Sequence, residues 1–201
     1  MAMAVIAVLW LVQIRRRGLT AMPTNKARTD LWLDLALVAF LIALGVAARL
    51  LPHVPGFLPV AASGLFAARV LRIPALAIAV PVLAMILSDT LLPVEDWRIQ
   101  AVGFAAIAIP AVAGLATRRW SGMLPTAATM VVSSILFWLA SNAAVWAFSG
   151  MYAATVAGLT ECYVLALPFL EKTMMGDLFW TGVLFGGLWL IQRTPVFARA
   201  R

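Results

Sequence analysis

Between residues 31 and 51 the sequence reads LWLDLALVAFLIALGVAARLL, closed by Pro52. An α-helix needs about 20 mainly apolar residues to cross a bilayer, and this run meets that length. Further apolar runs lie at about 57–71, 74–92, 99–117, 124–148 and 176–192. Backbone N–H and C=O groups in lipid must be satisfied within their own segment, so these runs read as helices. None shows the alternation that marks barrel strands. Composition agrees: 64% of the residues are hydrophobic and 11% are charged, with a mean hydropathy of +1.01, against about 25% charged in soluble domains. Too few polar groups are available to solvate a surface, so lipid is the expected solvent.

The expected fold class is all-α: a polytopic bundle of about six transmembrane helices in a bacterial cytoplasmic membrane, with both termini cytoplasmic. The segment at 57–71 is the short one, rising only ~22 Å against a hydrocarbon core of ~30 Å. Charge favours its crossing. With it in place, Arg15, Arg16, Arg17, Lys26, Arg28, Arg69, Arg72, Arg118, Arg119, Arg193, Arg199 and Arg201 fall inside, and Arg49, Arg98 and Lys172 fall outside. That asymmetry is the positive-inside pattern. Trp32, Trp97, Trp120, Trp146, Trp180 and Trp189 lie near segment ends, where amphipathic rings favour the interface. Pro81 and Pro110 are expected to kink their helices.

The transmembrane domain is expected at 31–192, between an N-terminal tail at 1–30 and a basic cytoplasmic tail at 193–201. Residues 1–14 are apolar but too short to span. Arg15–Arg17 come after that stretch rather than before it, unlike a signal peptide. Residues 1–21 therefore read as a wrongly assigned start, with Met22 as the alternative, or as a peripheral tail. The stretch at 149–175 is apolar but broken by Gly150, Gly158 and Pro168. It is expected as a separate segment on or dipping into the outer face.

The net charge is +7, but the basic residues sit at the ends of apolar runs and form no single patch. Nucleic acid is therefore not an expected partner; the lipid bilayer is. With Cys162 as the sole cysteine and His53 as the sole histidine, a cysteine-based zinc cage is excluded. No Ser-His-Asp set, HExxH, Walker A or dinucleotide fingerprint is present, so enzyme chemistry is not expected. No cofactor is named by the sequence.

The acidic residues are the informative ones. Asp30 and Asp34 belong to the inner side, whereas Asp89, Glu95, Asp96, Glu161, Glu171 and Asp177 gather at the outer end. Helical rise places Ser88, Asp89, Asn142 and Asp177 at similar depth. Carboxylates at membrane depth are costly and usually face a cavity or a partner. The functional reading is an outward-facing pocket for a neutral or cationic small molecule. Asp89, Asn142 and Asp177 form its polar floor. The His53 loop and the 149–175 stretch form its lid, with Tyr152, Tyr163 and Trp146 as stacking surfaces. The plainer reading makes the same groups interface polars and caps, Asp177 after Gly176 being well placed as an N-cap. Cys162 reads as a buried inert thiol. Ala39, Ala43 and Ala47 recur at four-residue spacing, a smooth stripe suited to close helix approach.

The stretches PHVPGFLPVAASGLFAA, ILSD and SNAAVWAFSGMYAATVAGLTECYVLALPFLEKTMMGDLFWTGVLFG resemble a family of uncharacterised bacterial integral membrane proteins. That family is thought to be related to the substrate-binding (S) components of energy-coupling-factor vitamin transporters. The resemblance covers about residues 32–192. Gly56 and Lys172 stand where that family tends to have asparagine. The likeness implies six helices with both ends inside, substrate captured from outside under loops, and docking to an energy-coupling scaffold subunit through Ala39, Ala43 and Ala47. The alternative is a non-transporting accessory or scaffold subunit of a larger membrane complex.

Overall fold

The computed structural model describes residues 23–52, 55–93 and 96–193. The expectations for His53, Glu95, the alternative start at Met22 and the tail at 194–201 lie outside the described residues. Among the described residues the chain is all helix and turn. The elements are α1 (Pro23–Leu50), α2 (Val60–Val70), α3 (Pro74–Asp89), α4 (Trp97–Ile107), α5 (Ile109–Ala116), α6 (Met123–Phe148) and α7 (Val156–Arg193). Among the described residues three stretches are long and apolar enough to cross a membrane: Asp30–Leu50, Trp97–Ala116 and Met123–Phe148. Val60–Val70 and Pro74–Asp89 are apolar but shorter.

The first helix begins earlier than expected, at Pro23, because nothing from there to the apolar run breaks a helix and proline is tolerated in a first turn. The expected crossing at 99–117 is interrupted where α4 passes into α5. Pro110 has no N–H to continue the ladder, and Ala108 joins the two helices. Pro81, by contrast, lies inside an uninterrupted α3.

Two expectations need correction. The segment at 57–71 is helical only over Val60–Val70, preceded by irregular backbone from Pro55 to Pro59. A helix of this length suits a bundle that encloses it, and most of α2 is enclosed. Val60 and the run from Ala62 to Ala68 are all buried. Phe66, Leu65 and Ala67 are fully enclosed, and Phe66 and Ala67 pack among Leu37, Leu41, Val80 and Leu184. The second correction concerns 149–175. Its expected outer-face segment and the expected last helix from 176 are one continuous helix, α7, which runs through Pro168. Gly150, at φ +71°, takes up the reversal after α6.

Side-chain bonds tie alternate helix ends together. At one end Arg118 donates to the carbonyls of Ala68 (2.5 Å) and Leu71 (2.7 Å). Arg69 donates to the Trp120 carbonyl and the Thr117 hydroxyl. These guanidinium groups satisfy carbonyls that helix ends leave open. Arg72 pairs with Asp30 at 2.6 Å at this same end. At the opposite end Arg49, Asp89 and Gln100 meet. Successive helices therefore run up and down. α6 and α7 form an antiparallel pair held by Trp138 Nε1 to the Ala166 carbonyl and Tyr163 Oη to the Leu139 carbonyl.

Candidate functional site

Two cavities lie at the Arg49 end, and they share Arg49 and Met85 in their walls. The outer one, about 510 Å³, is a vestibule lined by Asp89, Pro93, Gln100, Gly103 and Ser141. The inner one, about 230 Å³, is a chamber. Its apolar wall comes from Leu58, Val60, Met85, Ile107, Pro110 and Phe137. Its polar side comes from Ser133, Ser134, Thr173 and Asp177.

Arg49 divides them. It comes at the end of α1, where it donates to Asp89 Oδ1 at 2.6 Å and contacts Met85 Sδ. Asp89 Oδ2 accepts from Gln100 Nε2 at 3.1 Å. Both members of the ion pair are largely enclosed, with side chains 15% and 13% exposed. This end of α1 approaches α3 closely because Gly45 has no side chain; a Cβ there would sit 2.9 Å from that of Ala84.

Asp177 is the second carboxylate, 3% exposed. It is not a helix cap, because α7 is already helical from Val156. Its Oδ2 accepts from Ser134 Oγ at 2.6 Å. Among the described residues no arginine or lysine pairs with it. Gly176 brings α7 against the irregular segment: a Cβ at this position would lie 2.7 Å from Phe57 Cα and 2.8 Å from the Gly56 carbonyl oxygen. That contact, with Phe57 stacked on Phe179 at 5.1 Å, sets one wall of the chamber.

The expected polar floor is thus split. Asp89 belongs to the vestibule and Asp177 to the chamber. Asn142 lines neither; its Nδ2 turns back to the Trp138 carbonyl, and its own carbonyl accepts from Cys162 Sγ. The three expected stacking rings are also absent from both linings. Trp146 donates to the Ala153 carbonyl, Tyr163 packs on Trp138, and Tyr152 is half-buried in the turn after α6. Trp146 and Tyr163 thus fasten the α6–α7 hairpin. Cys162 is a buried free thiol, as read from the sequence. Asp96 caps α4 and is hydrogen-bonded by Arg98, which holds its carboxyl well below the usual range. Ala39, Ala43 and Ala47 are all exposed and face away from the bundle.

Sequence reasoning missed Arg49, Gln100, Thr173 and the Ser133–Ser134 pair. For the serines a signal was present: Thr126, Thr129 and Ser133 recur at three- and four-residue spacing through an otherwise apolar run, which puts them on one helix face.

A family model described as "Family of unknown function (DUF6580)" matches residues 29–198. The chain belongs to the DUF6580 family. The match takes in every residue that lines the vestibule and the chamber, so both lie within the unit that DUF6580 defines. No curated protein and no solved structure matches the chain.

Proposed function

We propose that this DUF6580 protein crosses the bacterial cytoplasmic membrane about six times with both ends inside, and that it captures a small, vitamin-sized molecule from the outer face for uptake. The observation that carries this reading is the pair of cavities meeting at Arg49. A vestibule with a charged pair in its wall, beside a mostly apolar chamber with a few convergent polar groups, is the usual anatomy of a small-molecule site. The alternation of helix ends and the clustering of Arg69, Arg72, Arg118 and Arg119 at the end opposite Arg49 support the orientation. The resemblance read from the sequence, to a family thought to be related to S components of vitamin transporters, supports uptake by analogy only. No catalytic step enters this role.

A second reading rests on the outward-facing stripe of Ala39, Ala43 and Ala47, which the bundle itself does not use. Small residues let a partner helix approach closely. The stripe suits docking to an energy-coupling or scaffold membrane subunit, either alongside uptake or as the whole role.

Topology is tested by cysteine labelling in intact cells after Cys162→Ser. A cysteine at Thr90 should react with an impermeant maleimide, and one at Arg119 only after permeabilisation. Labelling at Arg119 from outside would remove the orientation. Binding is tested on protein purified from its native membrane. A small molecule should be released on denaturation in near-stoichiometric amount, and it should protect Ser141→Cys from a thiosulfonate reagent. An empty, unprotected vestibule, together with stoichiometric co-purification of a larger assembly, would favour the scaffold role.

A further inference from the structure

We propose that the inner chamber is an amine site, in which Asp177 receives the ammonium group of a ligand whose apolar body fills the space against Leu58, Ile107 and Phe137. This rests on the proposal that the cleft binds a small molecule, and it names that molecule's class.

The charged residues that line the chamber are Arg49 and Asp177. Arg49 is already neutralised by Asp89 across the 2.6 Å pair, so it neither repels a cation nor serves Asp177. Asp177 has one neutral donor, Ser134, on one of its two oxygens. Moving a carboxylate out of water is expensive unless a partner of opposite charge comes with it. Among the described residues none does. A ligand ammonium would provide that charge and up to three donors, with Asp177, Thr173 and Ser133 available in the lining as acceptors.

The remaining wall sets the rest of the ligand. Met85, Pro110 and Val60 offer contact surface and no hydrogen bonds from their side chains. A cavity of about 150 Å³ lined by aliphatic and aromatic groups holds a benzene ring. The chamber, at about 230 Å³, has room for an aromatic or branched aliphatic group with a short aminoalkyl arm. The sequence placed Asp89 with Asp177 in the floor of a pocket for a neutral or cationic molecule, but Arg49 and Gln100 occupy the Asp89 carboxylate.

The test uses full-length protein in lipid nanodiscs and two matched probe pairs: phenethylamine with 2-phenylethanol, and tryptamine with tryptophol. Each pair differs in the ammonium group and little else. At least one amine should bind the wild type about 10- to 100-fold more tightly than its alcohol, the range expected of a charge-assisted contact. In Asp177→Asn the amine should fall to the level of the alcohol while the alcohol is unchanged. Ala61 also lines the chamber, and Ala61→Phe, which fills it, should abolish both. Equal affinity of amine and alcohol for the wild type, or an amine preference that survives Asp177→Asn, overturns the proposal. If Asp177→Asn does not fold, the wild-type preference together with its loss in Ala61→Phe decides. A molecule that co-purifies and protects Ser141→Cys but carries no amine overturns the amine site while leaving the cleft reading standing. A cleft that binds nothing removes both.

Discussion

Gly176→Ala should lower the thermal midpoint of the purified protein by roughly 4–10 °C, whereas Gly182→Ala, less than two turns further along the same helix, should leave it unchanged or raise it. The two substitutions add the same methyl group to the same helix and gain the same intrinsic preference of alanine over glycine. They differ in what the methyl meets. At Gly182 nothing lies within 4 Å. At Gly176 the new atom would be 2.7 Å from Phe57 Cα and 2.8 Å from the Gly56 carbonyl oxygen. Both are backbone atoms and cannot swing aside, so the segment from Pro55 to Pro59 must move off α7. Overpacking of this kind costs about 1–3 kcal/mol. Because Gly56 and Leu58 line the chamber, the same substitution should also weaken any ligand held there. Equal midpoints for the two variants would show that the irregular segment is not packed against α7.

The second large effect is expected at the ion pair that separates the cavities. Arg49→Ala leaves Asp89 with Gln100 alone, in a site where little water reaches it. Removing one partner of an enclosed, hydrogen-bonded charge pair costs about 2–4 kcal/mol. Asp89→Ala should also destabilise, because it leaves the enclosed guanidinium without its carboxylate. The double variant should be less destabilised than the sum of the two, by about 1–3 kcal/mol of coupling. It should also join the vestibule to the chamber, so that a Ser133→Cys side chain reacts faster with a small thiosulfonate. Additive losses would mean that the pair contributes nothing of its own, and an unchanged reaction rate that it is not the barrier.

The helical class was legible because hydropathy alone demands internally satisfied backbone, and the helix ends near Leu50, Asp89 and Phe148 were readable from adjoining prolines, charges and glycines. The length of α2 was not. Residues 57–59 are as apolar as the helix itself, and only the packing of Gly56 and Phe57 against Gly176 reveals that they are not helical. The merging of 149–175 into α7 was hidden for a related reason. Gly158 and Pro168 read as breakers and Asp177 as a helix start, yet all three lie within α7. Asp177 was found from its depth, but its role was not, because which carboxylate has a cation depends on contacts 40 residues apart, as between Arg49 and Asp89. Asn142 was misplaced because a depth estimate fixes height along a helix and says nothing about the face; its side chain bonds within its own helix instead.

The enclosure of α2 bears on how the protein reaches its membrane. In the proposed topology an eleven-residue helix is offered to the insertion machinery after α1, and a stretch so brief is a poor stop signal by itself. Its irregular approach, Pro55 to Pro59, carries backbone polar groups that hydrocarbon will not accept unless protein surrounds them. Partition of α2 into lipid as a lone helix is therefore unfavourable. It has to arrive as a hairpin with α3 and be shielded by α7, the last of the described helices. A chain truncated before Val156 would leave α2 without the wall that Leu184 and Phe185 give it. Such a chain should be held at the insertion site or degraded rather than accumulate as a smaller bundle.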